Sequence, residues 1–191
     1  MKKSNLGLGA ALAVLVCAAN LSAAAETDDQ GLRTVEIVGL KGEVPGDWIE
    51  QPPSSSMRIA QYLIAGENED ESAQFVVFYF GQGQGGSVDD NITRWQSQFS
   101  SADGTLVTPA IETLVVDGMP VTVAEFTGNY ARAVGMGHGG QGLPGQTLIA
   151  AVVETHHGNL YIQLHGPEGV VATHREAYLS FIKSMHSQSE I

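Results

Sequence analysis

The sequence predicts an α+β fold, an antiparallel sheet flanked by one helix on each face in an α/β/α sandwich. Three observations lead there. The apolar runs 113–116 and 119–130 flank Asp117-Gly118, a dipeptide suited to the type I′ turn of a tight hairpin. A second pair of runs, 147–154 and 160–165, flanks His156-His157-Gly158-Asn159. Two segments, at about 89–99 and 167–185, repeat apolar residues every three or four positions, so each carries one apolar face. Hairpins imply antiparallel pairing, and two amphipathic helices need a sheet face each.

In chain order, residues 1–25 read as a signal peptide. Met1-Lys2-Lys3 gives a positive start, residues 6–19 an apolar stretch, and Ala23-Ala24-Ala25 a small-residue cleavage site before Glu26. The apolar stretch is shorter than the ~20 residues that cross a bilayer. A periplasmic or secreted location follows, with cleavage after Ala25 and no membrane insertion afterwards. The single cysteine, Cys17, leaves with that segment. Val14-Leu15-Val16 lacks the small residue that precedes a lipidated cysteine. A domain without cysteine has no disulfide, thiolate metal site or thiol nucleophile.

Residues 26–39 form an acidic leader that alternates briefly at Val35, Ile37 and Leu40, which reads as an edge strand at its end, and residues 40–187 a single domain. Val44-Pro45-Gly46-Asp47-Trp48 is a strand entering a turn, with Trp48 placed to pack on the core. Strands are expected at 58–65 and 75–80, the second apolar at six successive positions and so covered on both faces. In the first helix Val88, Ile92, Trp95 and Phe99 share a face, Ser87 or Asp89 can cap, and Asp90 and Arg94 stand four apart. Between the hairpins, six of the residues 133–146 are glycine, which predicts a long mobile loop. The last helix carries Val170, His174, Tyr178, Phe181, Ile182 and Met185 on its apolar stripe, with Pro167 at its start.

The Val-Pro-Gly-Asp-Trp opening, the strand-loop-helix at 75–99, the meander and the terminal helix resemble the PsbP-like group of exported domains, among the Mog/PsbP-type α/β/α sandwiches. The resemblance covers about residues 40–186. Residues 85–95, Gly-Gly-Ser-Val-Asp-Asp-Asn-Ile-Thr-Arg-Trp, are also similar to a segment of an uncharacterised bacterial secreted family. The resemblance implies an accessory domain, extrinsic to a membrane complex in photosynthetic members, and brings no catalytic residue with it.

The charge balance, 21 acids against 9 bases and a net −12, argues against nucleic acid and against anionic membrane surfaces, both of which need a Lys/Arg face. Residues 81–86 spell G-x-G-x-x-G between a strand and a helix. Asp89 and Asp90 would repel a pyrophosphate there, so a flexible connection is the better reading, and no cofactor is expected. Histidines offer weak metal candidates at His138, His156 and His157, with Met136 beside the first, but no helical H-x-x-x-H spacing occurs. Asp47, Glu50, Glu112 and Glu125 could serve a hydrolase only if folding brought them together. Asn91-Ile92-Thr93 is a glycosylation sequon by letter, placed on a helix.

The sequence thus leads to an exported, non-catalytic accessory or binding domain. Its partner would be a protein or small ligand of the cell envelope, met through loop residues Gly135, Met136, His138, Gln141 and Leu143. A periplasmic histidine-based metal-binding protein is the alternative, and an unrecognised hydrolase the second alternative.

Overall fold

The computed structural model describes residues 31–68, 71–131 and 142–187. The expected signal peptide and most of the glycine-rich loop lie outside the described residues. Within the stretch read as a leader, β1 (Leu32–Ile37) is a strand and pairs antiparallel with β2 (Leu40–Pro45) across a turn at Val38 and Gly39. The chain continues through β3 (Ile49–Glu50), β4 (Arg58–Ala65) and β5 (Ser72–Tyr79) to α1 (Val88–Gln96). Next come β6 (Phe99–Ser100), β7 (Ala110–Val116), β8 (Met119–Tyr130), β9 (Leu143–Thr155) and β10 (Gly158–Pro167). It ends in α2 (Glu168–Ser184) and β11 (His186–Ser187).

The fold is α+β, with two helices and antiparallel pairing throughout the described strands. Eight strands form the main sheet in the order β3-β4-β5-β10-β9-β8-β6, with β7 beside the first half of β8. Both expected hairpins are present, and the last one returns β10 between β5 and β9. Residues 143–146, expected in the loop, belong to β9. A second sheet of β1, β2 and β11, which sequence reading did not anticipate, stands apart.

Side-chain alternation sorts the main sheet's core into two clusters. On β9, Leu148 to Val153 are all at most 3% exposed; Ile149, Ala151 and Val153 join one cluster, Leu148, Ala150 and Val152 the other. The first cluster holds the buried side chains of α2 with Ile37, Leu40 and Val44 of the small sheet. Phe75 is its hub, with ring centroids 5.0 Å from both Trp48 and Phe181 and 6.2 Å from Tyr178. Such pairs add about 0.5–1.5 kcal/mol each beyond the area they bury. Trp48 also donates its indole N–H to His174 Nδ1 (3.3 Å), so His174 is a hydrogen-bonded packing residue.

The second cluster joins Trp95 of α1 to Phe99, Val107, Phe126 and Tyr161, with Val88 and Ile92 packed against it. The stripe read from spacing is therefore the packed face of α1. The strand at 75–80 is buried at Phe75, Val76 and Val77 and only partly covered from Phe78 on. At the margin, β7 pairs with β8 alone, and Ile111 and Val115 are 54% and 70% exposed.

Candidate functional site

On the α1 side of the main sheet, a cleft of about 130 Å³ opens beside the helix, lined by Arg58, Gln74, Val76, Phe78, Gln98, Tyr130, Leu148, Gln163 and His165. Each strand places its residue by register. Gln74 on β5 stands opposite His165 on β10, and His165 opposite Leu148 on β9. Gln163 lies between Val76 and Ala150 in the next row. A bulge between Arg58 and Ala60 turns the start of β4, and the Arg58 guanidinium lies over the Phe78 ring, 5.3 Å from its centroid. Arg58 Nη1 donates to Gln61 Oε1 (3.0 Å) and to Gln74 Oε1 (2.9 Å). His165 sits against the Tyr130 ring at 4.3 Å and edge-on to Phe99 at 6.4 Å.

None of these nine residues is an acid. Three other clefts among the described residues differ. One of about 380 Å³ at the start of α2 includes Glu67 and Glu71; one of about 290 Å³ beside β1 includes Glu36 and Glu50; one of about 510 Å³ at the hairpin turns includes Asp117 and Glu154. Rigid strands, converging amides and an apolar floor make the acid-free cleft the better binding geometry.

The cleft also borders the root of the glycine-rich loop. Tyr130 pairs with Leu143 in the β8–β9 ladder, and Ala131 N donates to the Gln98 carbonyl (2.9 Å). Gly135, Met136, His138 and Gln141 lie outside the described residues, while Leu143 is exposed at the start of β9. His156 and His157 occupy the β9–β10 turn, exposed, at the other end of that 13-residue strand, roughly 40 Å from Leu143 at 3.3 Å per residue. Their backbone carbonyls accept from Gln82 Nε2 (3.2 Å) and the Tyr79 hydroxyl (2.6 Å). Among the described residues no three of His, Cys, Asp or Glu gather in a way that could hold a metal ion.

The four acids considered for hydrolysis split between opposite ends of the sheet. Asp47 and Glu50 flank Trp48 near β3, whereas Glu112 and Glu125 lie on β7 and β8, with Glu125 held by Arg175 at 3.0 Å. Five strand spacings separate β3 from β8, about 24 Å. Glu50 therefore cannot act with Glu125 on one bond.

Residues 81–86 form a pinned turn, not a loose connection. The Tyr161 hydroxyl donates to the carbonyls of Gly86 (2.9 Å) and Gln84 (3.3 Å), and Asn91 Nδ2 donates to Gly85 O (2.9 Å). The α1 N-terminus is closed by its own capping box: Asp90 N donates to Ser87 Oγ (3.1 Å), and Ser87 donates back to the Asp90 carboxylate. Those hydrogen bonds hold the Asp90 carboxyl below its ordinary range. A phosphate would find that helix end occupied. Asn91 is 1% exposed, so the sequon is inaccessible in the folded chain, and Arg94 pairs with Asn91 Oδ1 instead of Asp90. Gln96 Nε2 donates to the Val107 carbonyl (2.8 Å).

No protein-family model and no curated protein matches the sequence. The fold does have solved counterparts. The solution structure of cyanobacterial PsbP (CyanoP) from Synechocystis sp. PCC 6803 superposes with a TM-score of 0.55 at 14% identity, covering 88% of this chain and 99% of that chain. PA94 of Pseudomonas aeruginosa, a protein of unknown function, gives a TM-score of 0.46 at 14% identity, over 83% of this chain and 99% of that one. The chain thus has a PsbP-like fold. No described helix is long and apolar enough to cross a membrane.

Proposed function

We propose that this protein is an exported, non-catalytic accessory domain, a PsbP-like α/β/α sandwich that binds a protein or small ligand of the cell envelope. The site is the acid-free cleft together with the glycine-rich loop rooted beside it, including Gly135, Met136, His138, Gln141 and Leu143. One observation carries the reading: in a chain of 21 acids and 9 bases, a cleft built from three glutamines, an arginine, a histidine and a tyrosine opens where that loop leaves and rejoins the sheet. Loops rooted on a rigid sheet are the usual place for recognition. The start of the chain, read as a signal peptide cleaved after Ala25, supports a periplasmic or secreted location.

Native mass spectrometry of the protein recovered gently from its own cells is the test. An adduct or second chain is expected on the wild type, and its loss from Gln163→Leu, which removes a carboxamide from the cleft wall, and from a variant with residues 133–141 replaced by a short Gly-Ser linker. Equal recovery from all three proteins would refute the assignment.

A further inference from the structure

Resting on that binding reading, we infer that the cleft takes a carboxylate group, the end of a small organic acid or of a peptide chain. Charge is the first reason. An anion entering any of the three clefts described beside it meets two carboxylates, whereas here it meets none among the lining residues. Donor direction is the second. A guanidinium has donors and no acceptor, so the atom of Gln74 facing Arg58 must be its oxygen. That orients the Gln74 carboxamide with its two N–H groups turned away from Arg58, on a residue that lines the cleft. Turning it over would set N–H against N–H.

Position strengthens those donors. Val76 and Leu148 line the floor and the Tyr130 ring covers His165, so N–H···O⁻ bonds formed there are less screened than on an open surface. Size narrows the ligand further. About 130 Å³ of open cleft admits a carboxylate and the first carbons behind it. The remainder of a longer ligand would lie outside, along the loop root.

The experiment titrates the purified, ¹⁵N-labelled protein with sodium propionate and, separately, with propionamide, which has the same shape and no charge. Sodium chloride is held at matching concentration, and the side-chain NH₂ signals of Gln74 and Gln163 are followed. Propionate is expected to shift both saturably, with propionamide at least tenfold weaker. Gln74→Glu, whose carboxylate closes on Arg58 and replaces the donors, should weaken propionate at least tenfold with the other amide signals in place; Gln163→Leu does the same by removing a carboxamide from the cleft if Gln74→Glu fails to fold. A short peptide with a free C-terminus that binds tighter than its amidated form and than propionate assigns the group to a peptide end. A peptide without that advantage assigns it to a small acid. Equal shifts with propionate and propionamide would overturn the carboxylate while keeping the cleft as a binding site. No shift with either, or undiminished binding in both variants, would overturn the inference outright, and the native-mass experiment would still judge the binding reading by itself.

Discussion

A hydroxyl on β10 decides how the connection before α1 is held. Tyr161 lies 75 residues beyond Gly86 in the chain yet donates to its carbonyl, and it approaches Gly85 so closely that a Cβ there would sit 2.5 Å from the phenol oxygen. Gly85 also has φ +91°, a region that side chains rarely adopt. Gly85→Ala should therefore cost about 2–4 kcal/mol through clash and strain together, and Tyr161→Phe about 1 kcal/mol through the lost hydrogen bond. Urea denaturation reads both, and wild-type midpoints would mean that the turn is not held as described. Sequence alone made residues 81–86 a flexible link because glycines announce freedom, while the residue that removes it stands far along the chain. The cleft was hidden for the same reason. Arg58, Gln74, Gln163 and His165 come from three strands and meet only once register is fixed. One signal was present: Gln163 between Ile162 and Leu164, and Gln74 just before Phe75-Val76-Val77, are carboxamides inside strands that are otherwise apolar.

At the scale of elements, pattern was most legible where it was local. The Asp117-Gly118 turn, the two long hairpins and both helices followed from dipeptides, alternation and three-to-four spacing, all contained within about twenty residues. An edge strand at the end of the leader was legible, but its place in a separate small sheet was not, because the third strand, β11, is two residues long and lies at the far end of the described chain. That strand is secured by Asp117 Oδ2, which accepts from Ser187 N at 2.7 Å across 70 residues. For α1, the capping box gives a measurable contribution. Ser87→Ala should destabilise the domain by about 1 kcal/mol. It should also flatten the acid limb of the stability curve: the Asp90 carboxyl is held low by Ser87 in the folded state, so its contribution is present above the ordinary carboxylate range and fades as pH falls through it. Thermal melts of both proteins from neutral to acid pH provide the check, and parallel curves would count against the cap.

For the whole molecule, the organising fact is that two cores share one sheet. Trp48 belongs to the cluster under α2 and Trp95 to the cluster under α1, so each reports on a different core. Because β9 is buried on both sides, neither core can open without exposing the strand that holds the other. Trp48→Phe and Trp95→Phe, each with one tryptophan left, should therefore show fluorescence midpoints in urea equal to their own far-ultraviolet circular dichroism midpoints. Separate midpoints would show that the cores unfold independently. The margin of this sheet bears on the charge. Along Ala110–Val116 the strand carries one acid, Glu112, and no lysine or proline to discourage pairing by another copy. What keeps such edges apart is colloidal. Molecules of net charge −12 repel across roughly a Debye length, ~10 Å at 0.1 M salt and ~3 Å at 1 M. The acidity that disfavours nucleic acid as a partner thus also guards an unprotected strand, and the salinity of the surroundings sets how well.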